Sequence, residues 1–402
     1  MHILMLTNAI APDKLGGLER YVRELSAELV RQGHVVTTLS KKTSPDQAES
    51  ERGEDGVHLL RYPAPSKSDP LFALKYPRVI SQGVARGLAT FAAQGVASDD
   101  VVVHGHFPVP MLPVLRRNAR FVYTFHAPVH KELLGERQGS YELPRAAQGL
   151  AVGGLRLLER RVLRKASAVT TLSQFIADEM TELVGAAHAP AIRIPGGLDT
   201  HRFSPLGGVS RPVPVTGGPL IVTARRLVER TGVEQLVRAM PQVRRSIPDA
   251  QLVVLGEGPR RPDIETYVRS AGLEDCIHLL GRVSEDDLVA WYRSADLAVT
   301  PTRELEGFGL STAEALACGT PALVTPVGAN PEVVSGLGAA FVAAGNRPDD
   351  LAVSIVEVLS STSTLETARG RARDLVHPAM SWESVAARFV DVYQQALRGD
   401  AP

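Results

Sequence analysis

Two glutamates, Glu306 and Glu314, enclose the run Gly307-Phe308-Gly309-Leu310-Ser311. One carboxylate falls in a loop and the other in the first turn of a helix predicted to open near Ser311. So placed, they can accept hydrogen bonds from vicinal hydroxyls of a sugar and a ribose. The glycines let backbone N–H groups come close to the helix N-terminus, whose partial positive charge favours phosphate. A plainer reading covers part of the motif. Ser311-Thr-Ala-Glu314 has the pattern of a capping box, with Glu314 reaching back to the Ser311 N–H. That reading leaves Glu306 and the two glycines without a role.

His104, His106, His126 and His130 fall at or near consecutive strand ends. As a zinc cluster they lack a clear helix for the His126/His130 pair and a carboxylate at ligand spacing, so no metal is expected. His104 and His130 read as satisfied core or cleft histidines. Cys276 and Cys318 have neither the number nor the spacing for a disulfide scaffold or a zinc ribbon, and read as small buried hydrophobes.

The 402 residues carry 44 Lys+Arg against 44 Asp+Glu, which argues against nucleic acid held by bulk positive charge. The balance is a cancellation. Residues 1–190 hold 23 basic and 19 acidic side chains, net +4, and residues 191–402 hold 21 and 25, net −4. Residues 116–165 hold 11 and 4, net +7. That excess reads either as a solvated face of an Arg-rich helix or as a surface for an anionic acceptor or an anionic membrane. The N-terminus, Met1-His-Ile-Leu-Met-Leu-Thr, lacks a basic leader, and no apolar run reaches the ~18 residues of a spanning helix. The expectation is a cytoplasmic protein, with transient contact at the inner membrane face left open.

These residues must be positioned by short apolar runs: 2–6, 35–39, 101–104, 121–125, 168–172, 220–224, 252–255, 277–280, 297–300 and 322–325. Between them lie amphipathic stretches, among them 18–32, 154–165, 174–184, 233–246 and 285–294. Runs apolar on both faces suit parallel strands covered by helices, and the alternation predicts α/β architecture with two doubly wound Rossmann-like domains. Gly185–Pro190 reads as a linker and Gly207–Pro219 as a surface loop. The domains are placed at 1–188 and 189–379, with a helix in 380–402 completing the first. Ligands of such sheets bind at the carboxyl ends of the strands, so the interdomain cleft is the default site.

Glu306, seven residues and Glu314, enclosing Gly-Phe-Gly-Leu, resemble the donor-site signature of retaining glycosyltransferases of family 4. Other segments resemble that family in the expected order: Gly16-Gly17-Leu-Glu-Arg, His104-Gly-His106, Thr124-Phe-His126, Ile194-Pro-Gly-Gly-Leu-Asp199 and the Trp382…Tyr393 helix. The resemblance spans essentially the whole chain. It implies a fold of the GT-B type, with the acceptor bound mainly by the N-terminal half, the nucleotide sugar by the C-terminal half, and the last helix crossing back.

The resemblance also implies residue roles. Glu314 would grip the ribose hydroxyls, Glu306 the transferred sugar, and His126 the sugar's 6-hydroxyl beside the reacting centre. Backbone N–H groups at Gly16, Gly17, Gly309 and Leu310 would approach the diphosphate, Phe308 would be among the substrate-binding residues, and backbone near Val283 would approach the base. The family's Arg and Lys, five apart, contact the diphosphate; aligned on Arg226-Leu227 the Lys position falls on Thr231, aligned on Arg225 it falls on Arg230, and arginine can replace lysine as the phosphate cation. This sequence reads Ala224-Arg225-Arg226-Leu227-Val228-Glu229-Arg230-Thr231, so Arg226 with Arg230 is the expected pair and Arg225 the alternative. With no Asp-x-Asp in the chain, the resemblance implies retention without a metal or other cofactor, the cations and helix N-terminus stabilising the leaving diphosphate.

The expected donor is UDP- or GDP-linked, and the acceptor a small molecule, a glycan or a lipid-linked hydroxyl. Residues 128–153 are the expected source of acceptor choice. Competing readings are a nucleotide-sugar epimerase or hydrolase on the same architecture and a non-catalytic sugar-binding protein. A dehydrogenase is disfavoured, because Gly256-Glu-Gly258-Pro stops short of Gly-x-Gly-x-x-Gly.

Overall fold

The computed structural model describes all residues except 15, 67–68, 70, 118, 132–144, 186–189, 208–216 and 400–402. The chain divides into two units, Met1–Gly197 with Trp382–Pro402, and Leu198–Ser381. Most of both predicted loops, Gly185–Pro190 and Gly207–Pro219, and much of 128–153 lie outside the described residues.

The first unit holds β1 (His2–Leu6), β2 (Val35–Lys41), β3 (Ser50–Arg52), β4 (His58–Tyr62), β5 (Val101–Gly105), β6 (Phe121–Phe125), β7 (Ala168–Thr171) and β8 (Ile192–Arg193). Their order is β3-β4-β2-β1-β5-β6-β7-β8, and the only antiparallel pair among the described residues joins β3 to β4. The period of two is visible along β1. Leu4 and Leu6 enter the core on one face, with Tyr123 and Phe125, and Ile3 and Met5 enter the core on the other, with Val102 and Val122. The helices are α1 (Gly17–Arg31), α2 (Phe72–Ala92), α3 (Leu112–Arg117), α4 (Arg145–Lys165) and α5 (Gln174–Val184). α1 buries Val22, Leu25 and Leu29 on the Ile3 side, whereas α2 and α5 cover the Leu4 side.

Three strands were not expected. β4 is interrupted in sequence by Arg61, a charge that breaks its apolar run. The structure buries that charge by pairing it with Asp13 (Nε–Oδ2 2.5 Å, Nη2–Oδ1 3.0 Å) and Glu51 (2.7 Å). β3 is a polar edge strand, Ser-Glu-Arg. A third short strand, β8, pairs with β7 and keeps residues 192–197 in the first unit.

The second unit holds β9 (Leu220–Ala224), β10 (Gln251–Leu255), β11 (Ile277–Gly281), β12 (Leu297–Thr300) and β13 (Ala322–Val324) in the order β11-β10-β9-β12-β13, all parallel. Its helices are α6 (Val233–Ser246), α7 (Arg261–Ser270), α8 (Glu285–Ser294), α9 (Leu310–Ala317), α10 (Asn330–Val333), α11 (Pro348–Ser360) and α12 (Thr362–Ala372). Then α13 (Trp382–Arg398) rejoins the first unit, where Trp382, Val385, Phe389, Val392 and Tyr393 are buried in the Ile3-side core. The apolar stripe read from the sequence therefore covers this sheet.

In each sheet the strand order reverses at one place, between β1 and β5 and between β9 and β12. Such switch points open crevices at the carboxyl ends of strands. No helix among the described residues is long and apolar enough to cross a membrane.

Candidate functional site

In the second unit, Arg225 follows β9 directly, and the loop 301–309 follows β12. The Arg225 guanidinium meets that loop and the first turn of α9 at three points. Nη2 donates to Glu306 Oε2 at 2.6 Å and to Thr302 Oγ1 at 3.2 Å, and Nη1 donates to Ser311 Oγ at 3.1 Å. The other carboxylate oxygen of Glu306 accepts the Gly309 N–H at 3.2 Å. Burial pushes the Glu306 carboxyl upward, but the charge and hydrogen bond of Arg225, with the Arg230 charge and the Gly309 N–H, together outweigh it. The group titrates below the ordinary carboxylate range and is ionised at neutral pH.

Arg230 ties down the same loop. Its Nη1 donates to the Leu305 carbonyl at 3.2 Å, and its own carbonyl accepts the Arg303 N–H at 2.8 Å. Leu305 has φ +47°, a left-handed conformation that a leucine adopts only under tertiary constraint. Gly232 (φ +72°) turns the chain into α6 so close to this loop that a Cβ there would lie 1.7 Å from the Pro301 carbonyl oxygen. Arg226 is exposed, and its guanidinium makes no bond to the loop among the described residues.

Gly309, left-handed at φ +90°, is the N-cap of α9, whose first residue is Leu310. The capping-box expectation is therefore corrected. Ser311 stands inside the helix, with its hydroxyl bonded to Arg225, and Glu314 is the fifth helical residue, too far along to cap. Glu314 and Phe308 are buried, and Leu310 is half-buried. Val283 follows β11, with β10 between that strand and β9. Sequence reasoning missed Asn330. It is fully buried, and its amide oxygen lies 3.0 Å from where a Gly309 Cβ would stand. Neither amide atom has a hydrogen-bond partner among the described residues. Only its place before Pro331, at the start of a short helix, could have flagged it.

In the first unit, Gly16 is the extended N-cap of α1 and Gly17 its first residue. The Glu19 carboxylate folds back over Gly16, where a Cβ would lie 2.2 Å from Oε2, and Lys14 Nζ holds Oε1 at 2.6 Å. At the carboxyl ends of β5 and β6 the histidines form a packed group. His104 uses both nitrogens, Nδ1 with Tyr393 Oη at 2.8 Å and Nε2 with Thr124 Oγ1 at 2.7 Å. His106 Nδ1 and His126 Nε2 lie 3.1 Å apart. Tyr21 of α1 sets its ring edge-on to His126 at 5.0 Å and to Trp382 at 5.3 Å.

Burial pushes His104 and His106 well below the ordinary imidazole range, with the neighbouring histidines adding to it, and pushes His126 down to about 3. All three are neutral at pH 7. His130 is engaged elsewhere. Its Nδ1 lies 2.8 Å from Glu159 Oε2, while Glu159 Oε1 accepts the Val129 N–H at 2.8 Å, fixing the segment that follows His126. Among the described residues, no three His, Cys, Asp or Glu side chains are grouped to hold a metal ion.

The structure thus gathers Arg230, Glu306, Phe308, Gly309, Leu310 and Glu314 near the ends of β9 and β12, with Arg225 at their centre. It places Gly16 and Gly17 at the start of α1, and His126 against His106 and Tyr21. Residues 15–202 match the family model described as Glycosyltransferase Family 4, and residues 211–374 match Glycosyl transferases group 1. The chain belongs to glycosyltransferase family 4. It is a glycosyltransferase that uses a nucleotide-sugar donor, with a fold of the GT-B type.

Similar proteins support the assignment along the whole length. A glycogen synthase of Mycobacterium tuberculosis is 26% identical over 408 residues, covering 100% of this chain and 96% of the relative. A GDP-mannose-dependent alpha-(1-6)-phosphatidylinositol monomannoside mannosyltransferase of Mycolicibacterium smegmatis is 24% identical, covering 97% of each. Among solved structures, sucrose-phosphate synthase of Thermosynechococcus elongatus superposes with a TM-score of 0.78 at 22% identity, covering 98% of this chain and 99% of that one. This last likeness concerns the fold.

Proposed function

We propose that this glycosyltransferase moves a hexosyl unit from a UDP- or GDP-linked donor to an acceptor hydroxyl, with retention and without a metal ion. The observation that carries this reading is the Arg225–Glu306–Gly309 arrangement at the N-terminus of α9. It fixes the Arg225 guanidinium beside the helix N-terminus, where a diphosphate can be stabilised as it leaves. Arg225 and Arg230 are the cations of this reading, in place of Arg226 with Arg230, because the Arg225 guanidinium is held against the loop and Arg226 faces solvent.

In the reaction the acceptor oxygen bonds to the anomeric carbon from the face that the diphosphate leaves. The carbon–oxygen bond to the diphosphate breaks, and the acceptor proton passes to the leaving phosphate oxygen. Glu306 holds hydroxyls of the transferred sugar, Glu314 the ribose, backbone at Val283 the base, and His126 the 6-hydroxyl. Gly16, Gly17, Gly309 and Leu310 bring backbone to the diphosphate, and Phe308 is among the substrate-binding residues. The acceptor is a small molecule, a glycan or a lipid-linked hydroxyl, reached in the cytoplasm or at the inner face of a membrane.

Label transfer from UDP- and GDP-hexoses to a panel of such acceptors in EDTA tests the reading. The expected result is acceptor-dependent turnover whose product keeps the donor's anomeric configuration. A strict need for Mg²⁺ or Mn²⁺, an inverted product, or full donor consumption without acceptor would overturn it. A narrower test concerns Glu314. Replacement by alanine removes a buried acceptor for a hydroxyl pair, and nucleoside-diphosphate affinity should fall by ~1.5–3 kcal/mol. Unchanged affinity by calorimetry in the folded variant would remove Glu314 from the ribose site.

A further inference from the structure

His106 is the buried histidine without an evident task. It lies just beyond β5, only 2% exposed, and its backbone N–H is pinned to the Leu6 carbonyl at 2.8 Å. Its ring is clamped between His104, with centroids 4.0 Å apart, and the edge of Tyr21 at 6.0 Å. Its single side-chain hydrogen bond is to His126. Nε2, on the other side of the ring, is buried without a partner among the described residues.

Two neutral imidazoles facing each other across 3.1 Å share one proton, so one ring must donate and the other accept. If His126 donated from Nε2, His106 would carry its own proton on Nε2, a buried N–H with no acceptor. That is the rarer and costlier way to leave an atom unpaired. If His106 donates from Nδ1, the unpaired atom is a lone pair. His126 then accepts at Nε2 and carries its proton on Nδ1, the nitrogen that bonds to no protein group among the described residues.

We propose that His106 is a positioning residue that fixes the tautomer of His126, so that His126 presents Nδ1–H to the substrate as a hydrogen-bond donor. The proposal rests on the reading that His126 touches the transferred sugar. It adds that the sugar atom met there must accept a hydrogen bond, as a hydroxyl or a carboxylate does and a protonated amine does not. The clamp by His104 and Tyr21 holds the His106 ring in the plane that keeps this bond.

Nitrogen NMR of the intact protein labelled at histidine reads the tautomer directly at neutral pH. The expected result is His126 protonated on Nδ1 and bare on Nε2; a proton on Nε2 overturns the proposal. Variants supply the functional arm. His106→Asn keeps an N–H donor close to the place of Nδ1, whereas His106→Leu removes it. The leucine variant should lose roughly 10- to 100-fold in kcat with nucleoside-diphosphate affinity unchanged, and the asparagine variant should recover most of that loss. Equal losses in the two variants, or a loss that follows nucleotide affinity, would assign His106 to packing alone. If the wild-type chain transfers no sugar, the proposed function fails, and the NMR result still decides the tautomer.

Discussion

Replacing Arg225 by alanine should lower kcat/KM by roughly 10²- to 10³-fold, while Arg226→Ala should stay within about threefold. Arg225 serves three groups at once. It is the partner of Glu306, whose side chain is 14% exposed, at 2.6 Å, and it reaches Thr302 and Ser311 on either side of the loop. Removing one member of a buried pair leaves the other charge uncompensated, at a cost of about 3–5 kcal/mol. The fall in activity follows from loss of the loop's shape together with loss of a cation for the diphosphate.

Lysine at 225 keeps the charge but has no fork with which to hold Glu306, Thr302 and Ser311 together, so Arg225→Lys should fall between wild type and alanine. Arg226 touches none of these groups among the described residues, and its removal costs solvated charge. Steady-state kinetics and calorimetric titration of nucleoside diphosphate, with a melting curve for each variant, provide the check. A severe defect in Arg226→Ala beside a mild one in Arg225→Ala would return the diphosphate to Arg226.

The choice between adjacent arginines shows where sequence stops informing. Motif spacing placed a cation near the end of β9 but left the position open by one residue. The structure settles what surrounds each arginine through strand register. Leu255 pairs with Ala224, and the Arg225 N–H donates to the Leu255 carbonyl at 2.9 Å, so the side chain of 225 meets the loop after β12. The helices at Gln174–Val184, Val233–Ser246 and Glu285–Ser294 were legible to the residue. Two of them open with a local signal, Ser173 and Ser284 each accepting a backbone N–H three residues on.

The same signal misled at Ser311, where a left-handed glycine caps the helix and the serine bonds to a guanidinium 86 residues away. β4 stayed hidden because its arginine is neutralised by Asp13, a partner invisible to a local pattern. His104 could be read as a satisfied histidine. Its partner Tyr393, 289 residues distant, could not. His106 and Asn330 owe their interest to atoms that lack partners, a property that exists only once the chain is folded.

Lowering the pH from 7.5 to 5.5 should destabilise the first unit steeply, because His104 and His106 are buried, and His126 half-buried, in the neutral form. The unfolded chain takes up a proton at each near pH 6.5, whereas burial holds the folded values below that, to about 3 for His126. Stability is therefore undiminished above about pH 6.5. It is lost as the pH falls below that, because the unfolded state then binds more protons than the folded one. Each histidine contributes about 1.4 kcal/mol per pH unit, so three contribute as much as ~4 kcal/mol per unit.

Glu159 works in the opposite direction. Burial raises its pKa despite the His130 contact, so the folded state gains a proton before the unfolded one does, which opposes the loss. Glu306 is in the second unit and titrates lower, so it leaves this window untouched. Urea unfolding at pH 7.5, 6.5 and 5.5 should show midpoints for the first unit that fall together with pH, and His104→Gln should flatten the slope by about one proton. A midpoint that stays level across the range would mean that these histidines are open to protonation in the folded protein.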